Sequence, residues 1–367
     1  MKAALHTSLG HPLVLVDDVK LREPRAGEVL IQNRFCGVCH SDVSVNDLFE
    51  LTPMILGHEA AGIVEEIGDG VGSVSKGDSV LMSPIGPCDF CEMCQRGKPT
   101  LCIGKEAFMF GTFPDGTTPF TKNGNPVYQG LGVGGFSEYT LLKEESVVRI
   151  KNNLPLETVC VIGCAVQTGV GAVLNTAKVH EGATVLVLGL GGVGISVVQG
   201  AKIAGASQII VSDLISERRE LSSKFGATDS IDPTEGDVVE MVMEITKGRG
   251  VDFAFEAAGS SQLIEVGVNS TCSGGTTILV GAPPVGAELK TSSALHLMLT
   301  EKRIIGSLLG SSHPKRDIPL LLNFWENGKL DLENLITQRY PLKEVNNGFD
   351  DIRSGIGLRS VIEIHAN

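Results

Sequence analysis

A glycine-rich segment lies directly between an apolar strand and a helix-length stretch, and it restricts the fold of this chain more than any other feature. Residues 189–194 read Gly-Leu-Gly-Gly-Val-Gly, which fits the pattern G-x-G-x-x-G, and the run TVLVL precedes them. In this context the glycines allow a tight turn, a close approach of the backbone to a pyrophosphate, and close packing of helix on strand. The helix then presents free N–H groups to the phosphates. The segment predicts a dinucleotide site that includes Gly189, Gly191, Gly192, Val193 and Gly194.

The order of apolar runs predicts how the chain is divided. Between residues 166 and 309, the runs TVLVLG, QIIVSD, VDFAFEAAG and TTILVG alternate with helix-length stretches, as in a parallel sheet built from βαβ units. Residues 1–165 contain short β-type runs broken by Gly, Pro and Asp, and the tail has mixed character. We predict an α/β chain in which a doubly wound parallel-sheet domain, residues 166–309, is inserted in a mainly β domain made of residues 1–165 and 310–367.

Asp213 ends the second of these apolar runs, nineteen residues after Gly194. A carboxylate at this position accepts hydrogen bonds from the adenosine ribose hydroxyls and repels a 2′-phosphate, so NAD is favoured over NADP. Arg218 lies one short turn later and is a second candidate for this ribose. A solvated charge on a helix is the favoured interpretation of Arg218.

Four cysteines within fifteen residues form a compact pattern, C-x2-C-x2-C-x7-C, at Cys88, Cys91, Cys94 and Cys102. Four thiolates complete the tetrahedral shell of Zn2+ and leave no position for a substrate. The alternative is a disulfide knot, which is disfavoured because only nine cysteines occur in 367 residues and these four crowd together. The pattern therefore predicts a structural zinc site that stabilises a loop.

Composition limits the partners of the chain. Its net charge of -13 is spread without a basic cluster, which argues against nucleic acid or an anionic membrane surface and favours a small neutral substrate. The amino terminus lacks the unbroken apolar stretch of a signal peptide. The apolar segment 183–206 contains many glycines and Lys202, so it is not expected to span a membrane. A cytoplasmic protein is the expectation.

A further set of metal-type residues lies outside the four-cysteine cluster: Cys36, Cys39 and His40 in CGVCHSD, His58 and Glu59 in GHE, and Cys164 in GCAVQTG. Taken alone, CGVCH matches the C-x-x-C-H signature of covalent haem attachment. That interpretation requires export to an oxidising compartment, and it fits poorly beside a dinucleotide domain and a zinc loop. Spacing alone does not select which of these residues bind a metal.

These residues belong to a longer series of motifs that includes GHEAAGIVEEIG, GLGGVG, FEAAG, VGAPP and SGIGLRSV. With them the chain resembles, nearly end to end, the zinc-dependent alcohol dehydrogenases of the medium-chain dehydrogenase/reductase superfamily. The resemblance implies a GroES-like catalytic domain, a Rossmann domain for NAD(H), two zinc ions per subunit, and a homodimer or homotetramer. It implies that Cys39, His58 and Cys164 hold a catalytic zinc with a fourth position open for water or alcohol. Cys36 is then a buried thiol near that site, and Cys160 and Cys272 are core residues and not ligands.

The resemblance also implies roles for residues around that zinc. Glu59 is a carboxylate behind the ligands or a transient ligand, and Asp42 orients His58. Ser41 matches the hydroxyl that takes the alcohol proton and passes it toward the cofactor ribose. Many relatives continue this relay with a histidine three residues later, where this chain has Ser44, so the exit of the proton to solvent stays open.

Further cofactor positions follow from the same resemblance. His40 takes a pyrophosphate position where many relatives carry Arg, and a histidine is a weaker, titratable partner for phosphate. Arg359 matches the other phosphate contact, near the carboxyl terminus. Val280 and Ala282, both in VGAPP, are the remaining predicted cofactor residues.

The substrate pocket is predicted from positions where liver-type members of the family carry bulky side chains. This chain has Pro84, Gly130 and Ala282 there, and it retains Leu131. Smaller side chains leave more volume for an apolar substrate, and each added methylene that fills it contributes about 0.8 kcal/mol. The prediction is therefore a dehydrogenase of bulky primary alcohols, either aromatic or allylic. Ser41 is also predicted to line this pocket.

Two alternatives remain open. The stretch FPDGT resembles the thiol-dependent formaldehyde dehydrogenases, which act on an S-hydroxymethyl adduct, although this chain has Lys105 and Glu106 where the glutathione-using branch has an arginine. The more remote alternative is a zinc-containing protein that kept the fold and lost turnover. The complete set of predicted zinc ligands, together with Ser41, argues against that loss.

Overall fold

Two compact units make up the computed structural model, which describes residues 1–289 and 294–365 and leaves the side chains of Glu106 and Ala107 undescribed. Contacts assign Met1–Ala165, His313–Trp325 and Leu332–Asn367 to the first unit. They assign Val166–Ser312 and Glu326–Asp331 to the second unit. The first unit is called the catalytic unit below, and the second the nucleotide unit.

Residues 1–165 supply most of the catalytic unit. Their strands are β1 (Ala3–His6), β2 (Val14–Val16), β3 (Lys20–Leu21), β4 (Glu28–Val38), β5 (Met54–Ile55), β6 (Glu59–Ile67), β7 (Ser79–Met82), β8 (Phe120–Lys122), β9 (Asn125–Gln129), β10 (Tyr139–Lys143) and β11 (Val147–Arg149). Their helices are α1 (His40–Leu48), α2 (Glu92–Gln95), α3 (Glu106–Phe110) and α4 (Leu156–Val159).

The nucleotide unit alternates strands with helices. Its strands are β12 (Thr184–Leu188), β13 (Gln208–Ser212), β14 (Asp229–Ile231), β15 (Val251–Glu256), β16 (Thr271–Leu279) and β17 (Arg303–Gly306). Its helices are α5 (Ala165–Gly171), which begins at the last residue of the catalytic unit, α6 (Gly192–Ile203), α7 (Ser216–Phe225), α8 (Val238–Ile245), α9 (Ser261–Ser270) and α10 (Ala294–Thr300). The chain then returns to the catalytic unit with α11 (Pro314–Glu326), β18 (Ile336–Pro341), α12 (Val345–Ser354) and β19 (Arg359–Glu363).

The catalytic unit contains two mainly antiparallel sheets. One has the strand order β2-β1-β5-β9-β8-β3, and the other β11-β7-β6-β4-β19-β18, with β10 also pairing with β4. The long strand β4 is central to the second sheet because it pairs with β6, β10 and β19. Its buried residues Ile31 and Val38 pack in one core cluster with Leu56, Phe136 and Phe349. This sheet carries the candidate metal centre at the carboxyl end of β4.

All the strands of the nucleotide unit pair in parallel, in the order β14-β13-β12-β15-β16-β17. The last four residues of β12 are fully buried, as expected for a central strand covered on both faces. The strand order reverses direction between β12 and β15, and such a switch point is where open α/β sheets bind their ligands. The predicted fold class is confirmed. Two short strands, β14 and β17, were not predicted from the sequence.

Local sequence explains where several of these helices begin and end. The backbone of α6 begins directly after Gly191, which caps it. Asp237 caps α8 by accepting the N–H of Glu240 at 3.0 Å. Helix α7 ends at Gly226, whose φ of 124° is readily adopted only by glycine.

The division by contacts differs from the predicted domain bounds at two short segments. Residues 310–312 and 326–331 group with the nucleotide unit, where the sequence prediction had placed them in the mainly β domain. Hydrogen bonds account for this grouping: Asn175 donates to the Gly310 carbonyl at 3.2 Å, and the side chain of Gln199 accepts the N–H of Asp331 at 2.6 Å.

Within residues 1–289 and 294–365, no single helix is long and apolar enough to cross a membrane. The two segments Leu156–Gly163 and Ala165–Ala177 reach that length and hydropathy only when taken together, across a bend of 52°.

Candidate active site

The catalytic unit gathers four potential metal ligands into one buried cluster. One donor atom from each of Cys39, His58, Glu59 and Cys164 lies within 4.8 Å of the others. Cys39 follows β4 and caps α1, while His58 and Glu59 lie at the start of β6. Because Gly37 of β4 pairs with Glu59 of β6, the sheet brings the two loops together.

Asp42 fixes the orientation of two members of this cluster. Its Oδ1 atom lies 3.1 Å from Nδ1 of His58 and accepts the N–H of Gly57 at 2.9 Å. Its Oδ2 atom accepts the N–H of Cys39 at 3.1 Å. With Nδ1 engaged by a carboxylate, the Nε2 atom of His58 is the one left for a metal.

Glu59 lies fully buried behind the cluster. Its Oε1 atom accepts the N–H of Ala165 at 3.1 Å and lies 3.5 Å from Nη2 of Arg359, while its Oε2 atom is buried without a hydrogen-bond partner among the described residues. Burial raises the pKa of Glu59 to about 7, although the positive charge of Arg359 opposes the rise. This arrangement suits a carboxylate that stands beside a metal site, as the resemblance implies.

Charge and hydrogen bonding favour a thiolate in the cluster. A hydrogen bond from the Cys164 thiol, together with the positive charges of His58 and Arg359, holds the pKa of Cys39 well below its usual value although burial opposes this. The same hydrogen bond and burial raise the pKa of Cys164. Two sulfur donors, one imidazole and a nearby carboxylate form the kind of donor set that zinc accepts. The residues therefore fit a catalytic zinc, and their roles as its ligands stay predictions.

Arg359 lies at this cluster. Its guanidinium is buried, and Nη1 donates to the Val38 carbonyl at 2.7 Å. Burial opposes its charge, but Glu59 and the two thiols outweigh that effect and raise its pKa. The contact with Glu59 was not predicted from the sequence, because the two residues are 300 positions apart in the chain. Its predicted contact with a cofactor phosphate stays a prediction.

His40 and Ser41 occupy the first turn of α1, directly after Cys39. His40 is exposed and Ser41 is half-buried. Ser44 lies one turn later on the same helix and is also half-buried. The position of Ser41, two residues from a predicted ligand, suits the hydroxyl of a proton relay, and that role stays a prediction.

The four-cysteine loop forms a second cluster, with one Sγ atom from each of Cys88, Cys91, Cys94 and Cys102 within 4.8 Å of the others. Cys102 is fully buried, and its sulfur accepts the N–H groups of Cys88 and Gly104, each at 3.4 Å. N–H donors from the backbone also lower the pKa of Cys91 to about 6. All four cysteines are free, which is inconsistent with the disulfide alternative. Four sulfurs with backbone N–H donors around them fit a closed zinc site.

A hydrogen-bond contact links this loop to the carboxyl-terminal part of the catalytic unit. The Nε2 atom of His313 lies 2.8 Å from Oδ1 of Asp89, which is inside the loop. His313 directly precedes α11. Sequence analysis did not single out either residue, since neither matches a ligand spacing.

The glycine segment of the nucleotide unit has the geometry expected of a dinucleotide loop. Gly189 has a φ of 92°, and a Cβ on Gly194 would lie only 1.9 Å from the Gly189 carbonyl oxygen. A Cβ on Gly191 would meet no atom within 4 Å, so open space lies beside the backbone at the amino end of α6. Gly192 and Val193 form the first turn of that helix. These features fit the pyrophosphate of a dinucleotide.

Asp213 is held next to this loop by two backbone groups. Its Oδ2 atom accepts the N–H of Leu190 at 2.6 Å, and its Oδ1 atom accepts the N–H of Ile215 at 2.9 Å. Arg219 supports Asp213 from α7, since it donates to the Asp213 carbonyl at 2.7 Å and pairs with Asp232, and a place for Arg218 beside the ribose stays a prediction.

The predicted substrate positions do not all open a pocket. A Cβ on Gly130 would lie 2.6 Å from the Ile55 carbonyl oxygen and 2.8 Å from a methyl group of Leu56. Glycine is therefore required there by close backbone packing, and it does not create the extra volume that was predicted. Pro84 is buried and Leu131 is half-buried, and both stay predictions as pocket residues, as does Ala282 of the nucleotide unit.

Comparisons with known proteins identify the family. Residues 25–152 match the alcohol dehydrogenase GroES-like domain, and residues 192–327 match the zinc-binding dehydrogenase family. The alcohol dehydrogenase class-3 of Cereibacter sphaeroides is 37% identical over 374 residues, covering 98% of this chain and 99% of that protein. The chain belongs to the zinc-dependent alcohol dehydrogenase family. The predicted zinc and nicotinamide cofactors, and a small-molecule substrate, are confirmed at the level of this family.

Two further members of the alcohol dehydrogenase family are named for the substrates on which they act. The S-(hydroxymethyl)glutathione dehydrogenase of Escherichia coli O1:K1 is 38% identical over 368 residues, covering 98% of this chain and 99% of that protein. The crystal structure of benzyl alcohol dehydrogenase from Acinetobacter calcoaceticus matches with a TM-score of 0.93 and 34% identity, and 99% of each chain is covered.

The predicted preference for bulky aromatic or allylic alcohols is wrong. The curated relatives at 37% and 38% identity are an alcohol dehydrogenase class-3 and an S-(hydroxymethyl)glutathione dehydrogenase, which favour the alternative of a thiol-adduct dehydrogenase. The physical basis of the prediction also fails in part, because the backbone of Ile55 fills the space beside Gly130.

Proposed function

We propose that this protein oxidises the S-hydroxymethyl adduct of formaldehyde with a low-molecular-weight thiol, using NAD. The observation that carries the proposal is its similarity, over 98% of its length, to an S-(hydroxymethyl)glutathione dehydrogenase. The buried cluster of Cys39, His58 and Cys164 supports it, since that donor set suits a zinc site with one open position.

The chemistry of the reaction can be assigned to this chain's own residues. When bound, zinc would supply Lewis-acid chemistry at the hydroxyl oxygen of the adduct, and NAD would be the acceptor for the hydride of its hydroxymethyl carbon. The adduct thereby loses one hydride and one proton and becomes an S-formyl thioester. Cys39, His58 and Cys164 would hold the metal, and Asp42 keeps the imidazole of His58 in one orientation.

Ser41 is the proposed acceptor for the hydroxyl proton. It lies two residues after Cys39 in the first turn of α1, where it is half-buried next to the exposed His40. Ser44 is the next hydroxyl along that face, and we propose it as the next member of the proton path, where many relatives have a histidine. NAD is proposed over NADP because the carboxylate of Asp213 is fixed beside the glycine loop, where a 2′-phosphate would be repelled.

The test is NADH formation measured at 340 nm. Formaldehyde is supplied alone and then with glutathione or another small thiol, and benzyl and prenyl alcohols are assayed in parallel. We expect kcat/KM for formaldehyde with one of the thiols to exceed that for either alcohol. Lack of stimulation by every thiol, together with faster oxidation of benzyl alcohol, would contradict the proposal. Cys164→Ala is the control for reaction at the zinc cluster, and it should be inactive with all substrates.

A further inference from the structure

Glu256 is a buried carboxylate that the proposed chemistry does not use. It is the last residue of β15, and only 1% of it is exposed. In the parallel sheet it pairs with Leu188, the last residue of β12, on one side and with Leu279 of β16 on the other. Glu256 therefore lies at the carboxyl edge of the sheet, at the switch point between β12 and β15.

The side chain of Glu256 organises the loop that follows β15. Its Oε1 atom accepts the N–H groups of Ala258, Gly259 and Ser260, at 2.9, 2.7 and 3.1 Å. Gly259 has a φ of 80°, so the loop turns sharply around the carboxylate. Hydrogen bonds to a carboxylate are stronger than those between neutral groups, and three of them on one oxygen fix the course of the loop.

The main chain of Glu256 holds a second loop. Its carbonyl accepts the N–H of Val280 at 2.9 Å and that of Gly281 at 2.8 Å, directly after β16. The two loops touch each other, since a Cβ on Gly259 would lie 2.5 Å from the Ala282 carbonyl oxygen. Val280 and Ala282 are two of the predicted cofactor residues.

The loop after β15 also contacts the glycine segment. A Cβ on Gly189 would lie 2.8 Å from the Cβ of Ala258 and 3.0 Å from its nitrogen. Ala257, the preceding residue, donates its N–H to the Leu188 carbonyl at 2.9 Å. One carboxylate thus fixes the loop after β15. This loop packs against two segments of the predicted dinucleotide site, the glycine segment and residues 280–282.

We infer that Glu256 is a positioning residue for the dinucleotide: it holds the loops after β12, β15 and β16 in the arrangement that binds the cofactor. This role of Glu256 does not depend on which substrate the protein oxidises, because it concerns the binding of NAD and the loop structure of the protein before NAD binds. The other oxygen of Glu256, Oε2, is buried without a hydrogen-bond partner among the described residues, so the acceptor function lies with Oε1.

Glu256→Ala is the principal variant, and Asp252→Ala is its matched control. Asp252 lies at the opposite end of the same strand, accepts the N–H of Thr184 at 2.9 Å, and pairs with Arg249, so its loss also costs stability. NAD binding is measured by calorimetry on the zinc-loaded protein without substrate. Hydrogen exchange of residues 257–260 and 280–282 is measured without NAD.

We expect Glu256→Ala to weaken NAD binding by about tenfold or more and to speed exchange in both loops, because several charge-assisted hydrogen bonds are lost. Glu256→Gln keeps the Oε1 acceptor and should bind NAD within about threefold of the parent protein. Asp252→Ala should bind NAD normally. Normal binding by Glu256→Ala, or an equal loss in Asp252→Ala, would overturn the inference.

Glu256→Asp covers the case in which Glu256→Ala does not fold. The aspartate keeps the charge, but its side chain is one methylene shorter and cannot reach all three N–H groups. We expect weaker NAD binding and faster exchange in residues 257–260. A folded Glu256→Asp protein that binds NAD as the parent does would equally refute the role of Glu256.

Discussion

The carboxylate of Asp42 contacts His58 and the amide of Cys39 at the same time, at 3.1 Å in each case. Both contacts are made from α1, the helix that Cys39 itself caps. One side chain thereby sets the positions of two of the three predicted zinc ligands. Its own conformation is fixed by the N–H of Gly57, which donates to the same Oδ1 atom that contacts His58.

Replacing Asp42 by Asn should weaken zinc binding at this centre by about 10- to 100-fold. The amide NH2 group would face either the N–H of Cys39, or the N–H of Gly57 together with His58, so in each orientation one of the two predicted ligands is no longer held. Zinc retention is measured by competition with a chelator. Asp47→Asn is the control, since Asp47 lies on the same helix and pairs with Arg353. Equal zinc retention in the two variants would contradict the role of Asp42.

Asp213→Gly should shift the cofactor preference toward NADP. Removing the carboxylate removes its repulsion of a 2′-phosphate and two hydrogen bonds that it accepts near the glycine loop. We expect the NADP-to-NAD ratio of kcat/KM to rise by about tenfold, mainly through a loss with NAD. Glu217→Gln, an exposed acidic residue of α7, should leave the ratio unchanged. A constant ratio in Asp213→Gly would show that another group selects the cofactor.

Cys102→Ser should cost stability before it costs catalysis. The sulfur of Cys102 is fully buried and accepts two backbone N–H groups, so its loss opens the four-sulfur cluster. We expect the zinc content to fall by one ion per chain and the thermal midpoint to fall by roughly 5 °C or more. Cys272→Ser, in the nucleotide unit, is the control and should keep all its zinc. Full zinc content in Cys102→Ser would argue against a structural metal at this loop.

Glu28 should stabilise the catalytic unit in a pH-dependent way. Burial opposes its charge, but two hydrogen bonds from Arg22, one from the N–H of Arg25 and the ion pair with Lys143 lower its pKa from 4.5 to about 2. A lowered pKa in the folded state means that the contribution is complete above pH 4.5 and disappears as the pH falls toward 2. Its size is on the order of 3 kcal/mol.

The measurement compares the urea unfolding of Glu28→Gln with that of the parent protein at pH 6 and pH 3. The difference in unfolding free energy should be large at pH 6 and much smaller at pH 3. Glu65→Gln is the control, because Glu65 pairs with Lys76 at the surface, where an ion pair contributes little. If Glu28→Gln lowers the unfolding free energy by the same amount at both pH values, the charge of Glu28 is not the source of this stability.

Features that depend on neighbouring residues were predictable from the sequence. The glycine segment, the four-cysteine loop and the strands β12, β13, β15 and β16 each follow from a local pattern, because turn geometry, ligand spacing and strand length act over short distances. Short strands such as β14, with three residues, give too little pattern to recognise. The resemblance to a known family, and not spacing, selected Cys39 over Cys36.

Contacts between distant parts of the chain were not predictable. Arg359 beside Glu59, and His313 beside Asp89, depend on the return of the chain to the catalytic unit. Glu256 was visible in the motif FEAAG, but its three N–H partners become apparent only when the loop is folded around it. The substrate prediction failed at Gly130 because a missing side chain was taken as empty space, whereas neighbouring backbone fills it.

The central strand β4 has a consequence for biosynthesis. One of its partners, β19, is formed by residues 359–363, whereas the nucleotide unit is almost continuous in the chain. During translation the nucleotide unit can therefore fold while residues 35–38 of β4 still lack their partner β19. Arg359 reaches Cys39 and Glu59 only after the whole nucleotide unit has been synthesised. We expect stable insertion of zinc among these residues to follow synthesis of the nucleotide unit, and nascent chains stalled before residue 359 to lose this metal readily.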